Sequence, residues 1–111
     1  MNRDEQVSDQ VFHVLLSLVD GPKHGYGIIQ EVEARTQGEL TIGSGTLYSA
    51  VKRMQARQWV ERVDAPVLGD ARRKYYGLTP SGRSVIQAEA RRLAALVRYA
   101  RGKELLPGQA D

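Results

Sequence analysis

From Ser8 to Val19 the apolar residues Val11, Phe12, Leu15, Leu16 and Val19 fall on one side of a helical wheel, and Asp20-Gly21-Pro22 then interrupts the pattern. This spacing predicts a first helix with one buried face. A second helix is predicted from near His24, with Ile28, Ile29, Val32 and Thr36 on a common face and an end before Gly38. Glu39-Leu40-Thr41-Ile42 has a strand-like composition but is too short to stand alone, so it reads as an extended link. Beyond Gly43, Leu47, Ala50, Val51 and Met54 recur at i, i+3, i+4 and i+7, which predicts a third helix from Ser44 with Ser44 placed to cap its first turn.

After Trp59 the period changes from helical to alternating. Val60–Asp64 and Arg72–Leu78 flank a loop containing Pro66, Gly69 and Asp70, the pattern of a β-hairpin. Tyr76 shares a strand face with Leu78 and is expected to point inward, with Lys74 and Arg72 continuing toward a basic tip. Thr79-Pro80-Ser81-Gly82 combines a capping hydroxyl with a proline suited to the first helical turn, and Gly102 offers a stop. The helix between them has about 22 residues and a length of about 33 Å. Its apolar positions Ile86, Ala90, Leu93, Val97 and Ala100 alternate steps of four and three, a seam that asks for a partner surface. The bland rival is packing back onto the first helix of the same chain.

The predicted fold class is mainly α with a small β-hairpin (α+β). Three helices followed by a basic hairpin make a winged helix-turn-helix, here with a long C-terminal dimerisation helix. The expected organisation is a winged helix-turn-helix domain over 1–78, the dimerisation helix over 79–102 and a flexible tail over 103–111.

Charge sharpens this picture. With 111 residues the chain suits one domain, and its net charge of +3 is modest. The excess is concentrated: between Ser44 and Lys74 stand Lys52, Arg53, Arg57, Arg62, Arg72, Arg73 and Lys74 against Glu61, Asp64 and Asp70. One cationic face suits an anionic partner. The outer face of the third helix carries Ser44, Thr46, Tyr48, Ser49, Lys52 and Arg53, a mixture of hydroxyls and cations that can meet base edges and phosphates. Ser44, Thr46, Tyr48 and Ser49 at its start would read bases, while Lys52 and Arg53 lie toward the DNA backbone. Arg72, Arg73 and Lys74 on the wing would hold phosphates or reach the minor groove. Tyr26 could give its hydroxyl to a phosphate beside the amides of the second helix. The competing assignments are a solvated face for Lys52 and Arg53, partial burial for Tyr26 and Tyr48, and a purely capping Ser44.

Other chemistry finds little support. The chain has no cysteine, which removes disulfides, thiolate nucleophiles and cysteine metal ligands. His13, His24 and Asp20 lack the spacing of a catalytic or metal-binding set, and no phosphate-cradling glycine motif is present. The expectation is therefore a non-enzyme with no cofactor and no metal. Polar Met1-Asn2-Arg3-Asp4-Glu5 and short apolar runs such as Val14-Leu15-Leu16 predict a soluble cytoplasmic protein without a membrane partner.

Four local sequences resemble one family, the PadR-like transcriptional regulators. His24-Gly25-Tyr26-Gly27 is similar to that family's opening of the second helix, and Gly45-Thr46-Leu47-Tyr48 to the start of its recognition helix. Arg73-Lys74-Tyr75-Tyr76 with Leu78-Thr79 and Gly82 resembles the junction from wing to helix, and the single C-terminal helix resembles that of short members. The likeness runs roughly from Val11 to Gly102. Ser49 stands where the family usually has proline, and Gln58-Trp59 where a glycine and an aliphatic residue are usual. The resemblance implies a homodimer that sets two third helices in successive major grooves of a pseudo-palindromic operator, acting as a repressor on double-stranded DNA. It also implies a small aromatic effector near the dimer interface, for which Phe12 and Tyr99 are the best-placed aromatic residues. From another functional class, the same fold could be a protein-interaction module without sequence-specific DNA binding.

Overall fold

The structure, a computed structural model, describes residues 7–107, so Met1–Glu5 and the last residues of the expected tail, 108–111, lie outside the described residues. The elements are α1 (Asp9–Ser17), β1 (Lys23–His24), α2 (Gly25–Arg35), α3 (Ser44–Ala56), β2 (Val60–Val63), β3 (Tyr75–Leu78) and α4 (Pro80–Gly102). The sequence-based expectation of helices, wing and long last helix therefore holds, in an α+β architecture.

Ser8 opens α1 by accepting the Val11 amide, which satisfies one of the donors that a helix start leaves free. The buried face of α1 differs from the predicted one. Val14 and Leu15 are fully enclosed and Leu18 nearly so, whereas Val11, Phe12, Leu16 and Val19 are only partly covered. The reason is position: α1 packs against both α2 and α4, so it buries two flanks, and a single-stripe pattern cannot describe it. Buried Ser17 donates to the His13 carbonyl (2.9 Å) and accepts from Arg35 of α2 (3.0 Å), and Arg35 also donates to Glu31 (2.6 Å). A polar clamp thus closes the α1–α2 seam with its buried hydroxyl satisfied.

The link from α2 to α3 contains no strand. Thr36 accepts the Leu40 amide (3.1 Å) and donates to the Val32 carbonyl (2.9 Å), which ties the turn to the end of α2 while Ile42 drops into the core. At α3 the expected cap is corrected: Gly43 is the N-cap, without a side-chain hydrogen bond, and Ser44 is the first helical residue. A residue already inside the helix points its hydroxyl away from the free amides. Leu47, Ala50, Val51 and Met54 are buried as their spacing predicts.

α3 ends with Gln58 in the left-handed region (φ 63) and the Trp59 amide reaching back to the Met54 carbonyl (2.9 Å). A side chain there is strained. Gln58→Gly should raise stability by about 0.5–1 kcal/mol in thermal or urea unfolding.

The sheet has the order β1-β3-β2, all antiparallel, with Val60 opposite Leu78 and Val63 opposite Tyr75. Two points depart from the sequence reading. β1 pairs His24 with Tyr75, a strand too short to leave a periodic signal. The returning strand begins only at Tyr75, because Asp70–Arg73 form a turn in which the Arg73 amide donates to the Asp70 carbonyl (3.0 Å). Tyr76 does point into the core, and Tyr75 is buried on the opposite side.

Thr79 joins the wing to α4. Its amide donates to the Trp59 carbonyl (3.0 Å), and its hydroxyl lies 2.6 Å from the Gln58 carbonyl while accepting the Gly82 amide (2.9 Å) as the cap of α4. α4 then leaves the body. Ile86, placed by its spacing on the dimer seam, is instead 5% exposed and belongs to the core of its own chain. From residue 87 onward no residue of α4 is fully buried. The radius of gyration is accordingly 15.7 Å, against about 13 Å for a compact chain of this length. The first residues after α4 close the helix: Glu104 is left-handed (φ 59) and the Leu105 amide donates to the Ala100 carbonyl (3.0 Å).

Candidate nucleic-acid interface

A polar face is available on α3 because its four buried residues occupy one stripe. Ser44, Thr46, Tyr48, Ser49, Lys52 and Arg53 are all exposed. Lys52 and Arg53 take part in no ion pair among the described residues.

Tyr48 of α3 faces both the start of α2 and the wing. It is 47% exposed, and its ring lies over the first residue of α2: a Cβ on Gly25 would stand 2.7 Å from the Tyr48 hydroxyl. Glycine leaves room for this approach. Together with His24, Gly25, Arg72, Arg73 and Lys74, Tyr48 lines a groove of about 390 Å³. The groove therefore gathers residues from α2, α3 and the wing that are far apart in the chain. Tyr26, also exposed, stands beside it with the Arg73 guanidinium 5.6 Å from its ring centre.

The wing loop is a pair of turns held from below. Gly69 donates its amide to the Pro66 carbonyl (2.8 Å), and the buried Tyr75 hydroxyl accepts the Asp70 amide (3.0 Å). Asp70 then accepts the Arg72 amide (2.9 Å) and pairs with the Arg72 (3.1 Å) and Arg73 (3.7 Å) guanidinium groups. Hydrogen bonding from Arg72 holds the Asp70 carboxyl below the usual range. Here the expectation of a basic tip needs correction. Val67 and Leu68 form the crest, each fully exposed, while the cations sit behind it on the returning limb. Alternation extrapolated outward from Tyr76 missed this because the strand stops at Tyr75.

His24 was not foreseen as part of the site. Its Nδ1 accepts the Gly27 amide (3.0 Å) and caps α2, and its ring meets Tyr75 edge-on at 5.3 Å. Burial, followed by the nearby Arg73 charge, pushes its pKa below the ordinary 6.5. The available signal was the histidine directly before a helical stretch, but histidine is not among the common capping residues.

The two residues proposed for an aromatic effector do not share a hollow. Tyr99, 72% exposed, lines a shallow depression on α4 with Arg98 and Lys103, and Phe12 packs against the core from α1. Among the described residues there is no cluster of three or more His, Asp or Glu side chains that could hold a metal ion. No helix among them is long and apolar enough to cross a membrane.

Residues 14–88 match the family model of the PadR-like transcriptional regulators. An uncharacterized 37.1 kDa protein of a Streptomyces fradiae transposon is 36% identical over 91 residues, which cover 82% of this chain but only 25% of that protein. A PadR-like transcriptional regulator from Bacillus cereus superposes with a TM-score of 0.71 at 21% identity, covering 88% of this chain and 91% of the other. Bacillus subtilis PadR, solved in complex with operator DNA, superposes with a TM-score of 0.61 at 18% identity over 71% of this chain and 45% of its own. At these identities the solved structures establish a common fold.

Proposed function

Because the chain belongs to the PadR-like family of transcriptional regulators, a family of regulators and not of enzymes, we propose that it binds a pseudo-palindromic DNA operator as a homodimer and acts as a repressor. The observation that carries this reading is the groove in which Tyr48 of α3 meets Arg72, Arg73 and Lys74 of the wing. α3 enters a major groove with Ser44, Thr46, Tyr48 and Ser49 toward the bases, and Lys52 and Arg53 run alongside the phosphates. The wing cations and Tyr26 hold the flanking backbone. The operator complex of Bacillus subtilis PadR supports this arrangement by analogy of fold.

In this reading residues 1–78 bind DNA, and α4 pairs two chains through Leu93, Val97 and Ala100, with Ala90 beside them. Leu96, half exposed on the same stretch, extends that surface. Repression follows from occlusion of the operator. A small aromatic effector binding along α4 near Tyr99 would release it, without requiring Phe12 in the same site.

Titration of a duplex selected from a random pool, at several salt concentrations, tests the reading. Affinity should fall as salt rises, with a log–log slope of about −0.9 for each phosphate neutralised. No binding at any ionic strength would favour a protein-interaction module, a reading to which the exposed Val67-Leu68 crest would then belong. Arg53→Ala should weaken operator binding by about tenfold and reduce the salt slope by about one per bound protomer. Its effect on stability should stay within about 0.5 kcal/mol, since the side chain is exposed.

A further inference from the structure

The His24 ring has two nitrogens and one visible task. Nδ1 accepts the Gly27 amide at 3.0 Å. An amide N–H only donates, so Nδ1 must be unprotonated and the neutral ring carries its proton on Nε2. Nε2 has no hydrogen-bond partner among the described residues, and no buried side-chain nitrogen or oxygen among them lacks one. The Nε2–H is therefore open to solvent. His24 lines the same groove as Tyr48, Arg73 and Lys74, so this donor belongs to a cationic surface.

We propose that His24 is a DNA contact: its Nε2–H donates to a backbone phosphate seated in the groove between α3 and the wing, while its Nδ1 holds the start of α2. This rests on the proposed DNA-binding function and adds a residue to it. One ring thereby ties helix position to phosphate position. A phosphate that meets Nε2 is also within the field of Arg73 and Lys74, and Asp70 is already engaged by Arg72 and Arg73. The depressed pKa keeps the ring in the neutral form that can cap and donate together. Protonation would place an N–H where the Gly27 amide points and break the cap.

The residue types that cap helices separate the two tasks. Asparagine caps as well as any residue but is too short to present a donor where Nε2 stands. His24→Asn should therefore keep the cap, lower the urea unfolding midpoint only by the lost ring contact with Tyr75, and weaken binding of the selected duplex by at least tenfold, with an unchanged salt slope because no cation is lost. A methylphosphonate, which removes the phosphate charge, is then placed in turn at each position of the duplex backbone. At one position per half-site it should weaken the wild type more than His24→Asn, which keeps only the loss owed to Arg73 and Lys74, whereas at every other position the two should lose affinity by the same factor. A wing loosened by loss of the contact with Tyr75 would instead weaken binding of every duplex by the same factor. The inference is overturned if His24→Asn binds as tightly as the wild type, or if no methylphosphonate position couples to it. A wild-type protein that binds no duplex overturns the proposed function itself, and this contact with it.

Discussion

Gly82→Ala is expected to lower the unfolding free energy by about 3 kcal/mol, read as a shift of the urea midpoint at constant slope. Helix propensity alone predicts the opposite, since alanine in a helix interior is favoured over glycine by about 1 kcal/mol. Geometry decides the sign. A methyl group on Gly82 would overlap the Trp59 carbonyl oxygen and stand 2.9 Å from its carbonyl carbon. Both atoms are backbone, and that same carbonyl accepts the Thr79 amide, so neither side can yield without opening the junction between α3, the wing and α4. Ser81→Ala, one residue earlier and exposed, should be nearly silent. A Gly82→Ala midpoint equal to or above that of the wild type would mean that the junction is looser than these contacts describe.

Val97→Asp should convert dimers to monomers and weaken binding of a two-site operator by about a hundredfold or more, because linked half-sites gain their affinity from being held together. A carboxylate in an apolar pairing surface is left without a partner, which strongly opposes association. Val97 is 42% exposed within its own chain and lies outside its core, so the variant should unfold at close to the denaturant concentration of a wild-type sample diluted to monomer. Light scattering reports the state directly. Dimers that persist in Val97→Asp would exclude the C-terminal part of α4 as the pairing surface.

The readable parts of this chain were those in which a local pattern and a tertiary role coincide. Leu47, Ala50, Val51 and Met54 bury a single stripe against a single core, so their spacing identified α3 and, by subtraction, its exposed polar face. Thr79-Pro80 at the start of α4 was legible because a hydroxyl cap followed by proline is a local device. The parts that stayed hidden depend on contacts across the chain. β1 exists only because Lys23-His24 lies against β3, and α1 buries more than one stripe because both α2 and α4 pack on it. Ile86 kept the seam's periodicity but belongs to the core, since the wheel of a long helix does not say where the helix leaves its own domain. At the wing, the cations were visible in the sequence while their placement behind an apolar crest was not, because the Tyr75 hydroxyl that organises the loop acts through space.

The junction at Thr79 also makes α4 a lever. The Thr79 hydroxyl donates to the Gln58 carbonyl and the Thr79 amide to the Trp59 carbonyl, so the first turn of α4 and the close of α3 move as one piece. Rotating that piece by about 10° displaces the far end of the 23-residue helix by about 6 Å. Conversely, a small molecule that shifts the far ends of two such arms would change the separation of the attached reading heads without touching either of them. In the proposed dimer, the half-site spacing accepted would accordingly follow from the stiffness of that junction as much as from the chemistry of the DNA-facing residues.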